Sequence, residues 1–177
     1  MPMIDVFIPE GALKPDAEQR LMTELTDLLI SAEGYDPANP VARSVTVLFL
    51  HRPEQIFVGG APFAKPWYRI QPSVPEGQYT QAAVETLIRR VTEAVARAES
   101  APFEEVAPRT WVFPTEIPDG RWGSRGVARR VSDIHAFLVG DETQKPVGEA
   151  RLARTRRAQA AGLLQPVLDM LRDGSAG

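Results

Sequence analysis

Apolar and polar positions along the chain run through the same order of elements twice. Met3, Ile4, Asp5, Val6, Phe7 and Ile8 read as a strand that Pro9-Glu10-Gly11 stops. Lys14-Pro15-Asp16 then opens a helix, proline being tolerated in a first turn. Leu21, Met22, Leu25, Leu28, Leu29 and Ala32 recur at helical spacing and form one buried face, and Gly34 ends the helix. A Pro-rich connection over 35–42 leads to a second strand, Arg43 to Leu50. There Val45, Val47 and Phe49 share one side, and Thr46, Leu48 and Leu50 the other. His51-Arg52-Pro53 breaks that strand, and residues 55–60 make a short hairpin-like return.

The second round lies at an offset of 66 residues. Pro75-Glu76-Gly77 repeats Pro9-Glu10-Gly11, and Leu87, Ile88, Val91, Ala94, Val95 and Ala98 repeat the apolar helix face. The same offset takes Arg43 to Arg109, the strand Val45–Phe49 to Trp111–Phe113 with Thr115, and Gly60 to Gly126. The upstream strand of this copy, Pro66 to Gln71, needs about two extra residues before its turn. Each copy is a β-α-β unit whose helix is long enough for a crossover, so its two strands should be parallel with the helix on one face. The fold class is therefore α/β (α+β): a four-stranded sheet with both long helices on the same side. The opposite face, apolar and aromatic, calls for oligomerisation to cover it.

Residues 2–140 are expected to form one domain from the units 2–62 and 66–126 plus a return segment, and 141–177 a C-terminal helical extension. Ser132 to Val139 fits a strand or a helical turn equally. A basic helix follows over Glu149 to Ala161, with Arg151, Arg154, Arg156 and Arg157. Gly162 and Pro166 should interrupt it before a last apolar segment, Leu163, Leu164, Val167, Leu168 and Leu171, and Asp173 to Gly177 should be disordered.

At 177 residues, 44% hydrophobic and 24% charged, the composition is that of a soluble globular protein. A net charge of −3 gives no general attraction to nucleic acid or to an anionic membrane. With no cysteine, disulfides and thiolate chemistry are excluded, and no apolar stretch approaches the roughly 20 residues of a membrane span. The start lacks the basic region of a signal peptide, which makes cytoplasmic the expected location.

The candidate chemistry begins at Pro2. Met1 precedes a small residue and is expected to be clipped, leaving a secondary amine at the amino terminus. An α-amino group has a pKa near 7.7–8.0, so it can exchange protons at neutral pH, and a secondary amine can form an iminium ion with a carbonyl. The plainer alternative is that Pro2 only starts an edge strand. Arg69, Arg121 and Arg125 are candidates to stabilise an enolate or bind a carboxylate through their forked donors, and any of them beside Pro2 would lower its pKa. Trp122, Phe113, Trp111, Leu29 and Phe57 could supply an apolar wall, though Trp111 and Phe113 also suit a strand core. Asp5 reads as a ladder-edge or inter-subunit pair. His51 and His135 show no metal spacing and read as ordinary polar residues.

Pro2 with its strand, Pro9-Glu10-Gly11, His51-Arg52-Pro53, Phe57-Val58-Gly59-Gly60, Trp111-Val112-Phe113 and Trp122 with the glycines after it together resemble the tautomerase superfamily. The likeness is to its fused double-unit members, specifically the cis-3-chloroacrylic acid dehalogenase and malonate semialdehyde decarboxylase groups, and covers about residues 2 to 140. It implies homotrimers, active sites near the subunit boundaries around the proline, a small carbonyl or enol substrate, and neither cofactor nor metal. The carry-over is partial. Leu29 stands where the dehalogenase group has a histidine, and Ser73 or Val74 with Gln78 where it has two arginines. Gln71-Pro72-Ser73 replaces the decarboxylase group's Arg-Pro-Arg, Phe113 a tyrosine, and Ser124 the glutamate that activates water. The single-unit enzymes' arginines fall at Ala12 and Thr46.

Without a water-activating acid, keto–enol conversion of a 2-oxo acid or related carbonyl compound by Pro2 is the expected reaction. Arg125, Arg121, Arg69, Gln71, Ser73, Gln78, Phe113, Trp122 and Leu29 are the candidate substrate contacts. Decarboxylation, dehalogenation or hydration of a small three-carbon acid, and a non-catalytic binding role, are the alternatives.

Overall fold

The computed structural model describes residues 2–174. It divides into two compact units, one ending at Pro118 and the other beginning at Asp119, a boundary that falls ahead of the one drawn at 140.

In the first unit, strand β1 (Met3–Phe7) leads through helix α1 (Pro15–Ala32) and a short helix α2 (Pro40–Ser44) to β2 (Val47–His51). The hairpin β3 (Phe57–Val58) and β4 (Ala61–Pro62) follows. The second copy repeats this with β5 (Tyr68–Pro75), α3 (Gln81–Glu99), a one-turn helix α4 (Phe103–Val106), and the strand pieces β6 (Thr110–Val112) and β7 (Thr115–Ile117). The sheet order is β2-β1-β5-β6, with β7 continuing along β5. Within each copy the two strands are parallel, and β1 and β5 meet antiparallel at the centre.

Ile4 and Val6 of β1, Ile8 just after it, and Tyr68, Ile70 and Val74 of β5 are buried with Leu21, Leu25, Leu28 and Leu29 of α1 and Leu87, Val91 and Val95 of α3. Each such aliphatic side chain contributes about 1.5–3 kcal/mol through burial. Pro15 at the start of α1 sits where its missing N–H has no partner to lose, and Asp16 and Glu18 complement the helix dipole. The Thr80 side chain caps α3 by accepting from the Ala83 N–H at 3.1 Å.

The second copy departs from the register that the offset implies. Met3 pairs with Val47, but its repeat counterpart Arg69 pairs with Trp111, two positions short of the counterpart of Val47. No extra residues precede the turn; instead β5 starts later than expected and runs through Pro75. The gap between β6 and β7 has a local cause. In the common register Pro114 comes opposite Pro72, and neither has an N–H to give the ladder. At the other strand, β2 begins only at Val47, because Pro40 at the start of α2 and the Asn39 cap turn residues 40–44 into helix.

Two paired arginines confirm the duplication at another level. Arg43 binds the carbonyl of Pro37 at 3.0 Å and the carboxylate of Asp27. Arg109, 6% exposed, binds the carbonyl of Pro66 and the carboxylate of Glu99, the latter at 2.7 Å. Each ties the approach to a strand back onto the loop or helix beside it.

The second unit contains the hairpin β8 (Trp122–Ser124) and β9 (Val127–Arg129), helix α5 (Val131–Val139), a 3-10 turn and helix α6 (Lys145–Gly174). The two-residue loop Arg125-Gly126 has φ of +51° and +77°, and Gly59-Gly60 in the first unit has +60° and +85°. Both are the mirror-image turns that close two-residue hairpins. Thus the repeat extends to its final hairpin. The ambiguous 132–139 segment resolves as helix: Val131, Ile134 and Leu138 are buried at helical spacing, and Gly140 closes it.

Neither Gly162 nor Pro166 interrupts α6, contrary to expectation. The carbonyl that Pro166 crowds belongs to Gly162 itself, which has the backbone freedom to tilt aside. Helix α6 lies close on α5: a Cβ at Gly148 would come within 2.8 Å of the Ser132 Cα. The expected tail falls partly in α6, to Gly174, and residues 175–177 lie outside the described residues. Among the described residues no helix is long and apolar enough to cross a membrane.

Candidate active site

Pro2 is buried, and its carbonyl accepts the Val47 N–H at 3.2 Å, fixing the start of β1 against the start of β2. The alternation of β1 places Pro2 on the same side as Ile4 and Val6, the side the helices cover. One step beyond Met3–Ser73, the antiparallel register sets Pro2 beside Val74, and Val74 pairs in turn with Glu116 of β7. Pro2, Val74 and Glu116 therefore form one row across three strands.

Glu116 Oε1 accepts the N–H groups of Gly77 and Tyr79, both at 3.0 Å, and so holds the turn between β5 and α3. Gln78 and Tyr79 in that turn are each 6% exposed. At the same end of the sheet, where α1 returns toward β2, Glu33 is 1% exposed. Burial, then the charges of Glu33 and Glu116, push the Tyr79 phenol far above its ordinary pKa, so it stays protonated. Among the described residues its hydroxyl has no hydrogen-bond partner.

Glu33, Tyr79 and Glu116 did not emerge from motif reading. A signal for Glu33 was present nonetheless. It stands four residues after Leu29, so an acid continues the apolar face of α1. Tyr79 and Glu116 carry no comparable mark, because only the strand register and the turn bring them together.

The other side of the sheet is an aromatic surface with a polar seam. Val47, Phe49, Trp111 and Phe113 are 46%, 49%, 53% and 45% exposed. Asp5 Oδ1 lies 2.6 Å from His51 Nε2, and the His51 ring stacks on Phe7 at 4.2 Å with an interplanar angle of 11°. The Asp5 pairing is thus within the chain. The Arg69 guanidinium lies 5.0 Å from the Phe7 ring centre and 5.8 Å from that of Phe113, and donates to Gln71 Oε1 at 2.6 Å. Trp111 meets Trp67 and Phe113 edge to face.

These placements redistribute the candidate contacts. Arg69 pairs with Phe7, five residues along β1 from Pro2 and on the opposite face. At about 3.4 Å per residue that is some 17 Å, which removes it as a neighbour of Pro2 in the same chain. Antiparallel β1 and β5 produce this outcome by placing the start of β5 against the end of β1. Gln71 and Phe113 share the Arg69 face beside Asp5, and Ser73, buried, adjoins Met3. Leu29 is 1% exposed within the core rather than in a pocket wall. Gln78 lies in the turn at the Pro2 end. Arg121, Trp122 and Arg125 belong to the second unit, where Trp122 pairs with Arg129 and the Arg125 guanidinium lies 5.6 Å from the Phe137 ring centre. His135, also there, is depressed below the usual histidine range by burial and then by Arg151.

No known family model and no curated protein matches the sequence. Solved structures do match the fold. A fused 4-OT asymmetric trimer is 23% identical, aligned over 71% of this chain and 94% of its own, with a TM-score of 0.57. A member of the cis-3-chloroacrylic acid dehalogenase family is 15% identical over 84% of this chain and 99% of its own, at 0.59. Macrophage migration inhibitory factor of Toxoplasma gondii is 16% identical over 71% and 98%, at 0.55. The chain has the tautomerase fold.

Proposed function

We propose that this tautomerase-fold chain is a cofactor-independent isomerase that uses Pro2, once Met1 is removed, as the proton carrier in keto–enol conversion of a 2-oxo acid or related carbonyl compound. The supporting observation is a buried proline at the start of the first strand of the fold, its carbonyl pinned by Val47. In ketonisation the protonated imino nitrogen gives its proton to the enol carbon, the C=C electrons form the new C–H bond, and the oxygen becomes a carbonyl as its own proton is released. The reverse direction has neutral Pro2 take a proton from carbon while the carbonyl oxygen gains one. A base near pKa 8 is matched to both at neutral pH.

The assembly we propose is a homotrimer closed over the aromatic sheet face. An exposed patch built from Val47, Phe49, Trp111 and Phe113 favours burial against other copies, and structures of the same fold carry the description of trimers.

Ketonisation of phenylenolpyruvate by the wild type and by Pro2→Ala tests the reading. A rate in the wild type that Pro2→Ala lowers at least roughly 100-fold supports it. Equal rates overturn it.

A further inference from the structure

The net charge of −3 conceals an asymmetry. The unit ending at Pro118 carries ten cations against sixteen acids, whereas the unit beginning at Asp119 carries ten against seven. The excess in the second unit is concentrated at the start of α6, where five cations stand against one acid over 145–157. Helix α6 changes character just after Thr155. Up to there it packs on α5, with Gly148 buried and residues 151–153 and Thr155 half-buried. From Arg156 to Arg172 every residue is exposed, over about 25 Å of helix. Gly148 leaves no room for a Cβ, whereas a Cβ at Gly162 would meet nothing within 4 Å. Leu163, Leu164, Val167, Leu168 and Leu171 line one side of this outer part, each 46–77% exposed. A helix of that length has little stability alone in water, and Gly162 and Pro166 lower it further. Its apolar side therefore needs a surface to lie on.

The residues just before the leucines say which kind. Arg154 and Arg157 stand seven residues ahead of Ala161 and Leu164, two turns up the same side, and among the described residues neither pairs with an acid. We infer that the outer half of α6 lies on an anionic lipid surface, its leucine side at the boundary of headgroups and acyl chains and Arg154 and Arg157 on the phosphates. Such a surface satisfies both features of the helix at once, since apolar burial holds the leucines and the forked guanidinium donors fit phosphate oxygens. A second copy of α6 satisfies only one. Paired parallel, the two basic segments would lie against each other; paired antiparallel through the leucines, each pair of arginines would lie beyond the other copy's Asp169 with no acid opposite. A nucleic acid would neutralise the arginines and leave the leucines in water. Lipid binding of this kind is independent of the chemistry proposed for Pro2.

Flotation of the full chain with phosphatidylcholine vesicles, with and without about 30% phosphatidylglycerol, tests the inference. The wild type should bind the anionic vesicles roughly 25-fold more tightly than the neutral ones, about fivefold for each of the two arginines. Arg154→Gln with Arg157→Gln should remove that preference. Leu164→Glu with Leu168→Glu should abolish vesicle binding while the solution mass and the circular dichroism of the chain stay those of the wild type. Should the leucine variant not fold, the wild-type ratio and the arginine variant decide the matter. Equal binding of the wild type to the two kinds of vesicle, or binding to neither, overturns the inference. So does a leucine variant that binds anionic vesicles as the wild type does, because charge alone would then be acting, as it would toward a nucleic acid. A lower solution mass of the leucine variant also overturns it, and assigns the leucine side to contact between copies of the chain.

Discussion

Gly34 and Ser100, separated by the 66-residue repeat, close the two long helices in the same left-handed backbone conformation, at φ +81° and +58°. A glycine adopts it freely, whereas a side chain there is strained by about 1–2 kcal/mol. The duplicated backbone was kept and one of its two glycines was not. Gly11 and Gly77, and Gly60 and Gly126, hold the same correspondence with glycine in both copies.

Ser100→Gly should therefore stabilise the chain. Relief of the left-handed strain exceeds the extra freedom given to the unfolded chain, and the expected gain is about 0.5–1 kcal/mol in urea unfolding. An unchanged or lowered midpoint would show that the serine side chain compensates for its own strain.

The aromatic sheet face should control assembly without controlling folding. Phe49 and Trp111 are half exposed in the single chain, so Phe49→Glu with Trp111→Glu leaves the core untouched. The wild type should have a solution mass three times the 19.5 kDa chain mass, and the double variant the mass of one chain with its circular dichroism retained. Light scattering after size exclusion measures both.

Acid should weaken the second unit through His135. Burial and Arg151 lower its pKa in the folded state below the ordinary 6.5, so the unfolded chain binds the proton more readily. The stability gained by keeping it neutral is full above pH 6.5 and is lost as pH falls through the folded value. Hydrogen exchange of α5 should accordingly speed up on going from pH 7.5 to 5.5 after correction for intrinsic rates, and His135→Gln should flatten that dependence.

Much of this architecture was legible in the chain because duplication doubles every signal. Helix faces beginning at Leu21 and Leu87, glycines at positive φ and strands ending in Pro-Glu-Gly all appear twice, and the four-stranded sheet with two helices on one side follows from them. What failed was local in origin. Pro166 reads as a helix stop, but the carbonyl it crowds is that of Gly162 and α6 runs through both, and the break between β6 and β7 comes from prolines 72 and 114 meeting across strands. Site residues were less legible than the fold. Arg69 has the right chemistry but faces away from Pro2, since strand direction rather than residue type decides which side chains meet. Glu33 and Tyr79 approach each other from sequence positions that no short motif connects.

Proton transfer by Pro2 requires a titrating imino nitrogen at residue 2. Selective ¹⁵N-proline labelling with NMR titration from pH 5 to 10 observes that atom directly, on protein whose intact mass lacks Met1. The expected result is a secondary-amine resonance that moves with pH with a midpoint between about 6 and 9. An amide nitrogen at Pro2 that does not titrate, with Met1 still attached, would contradict the account.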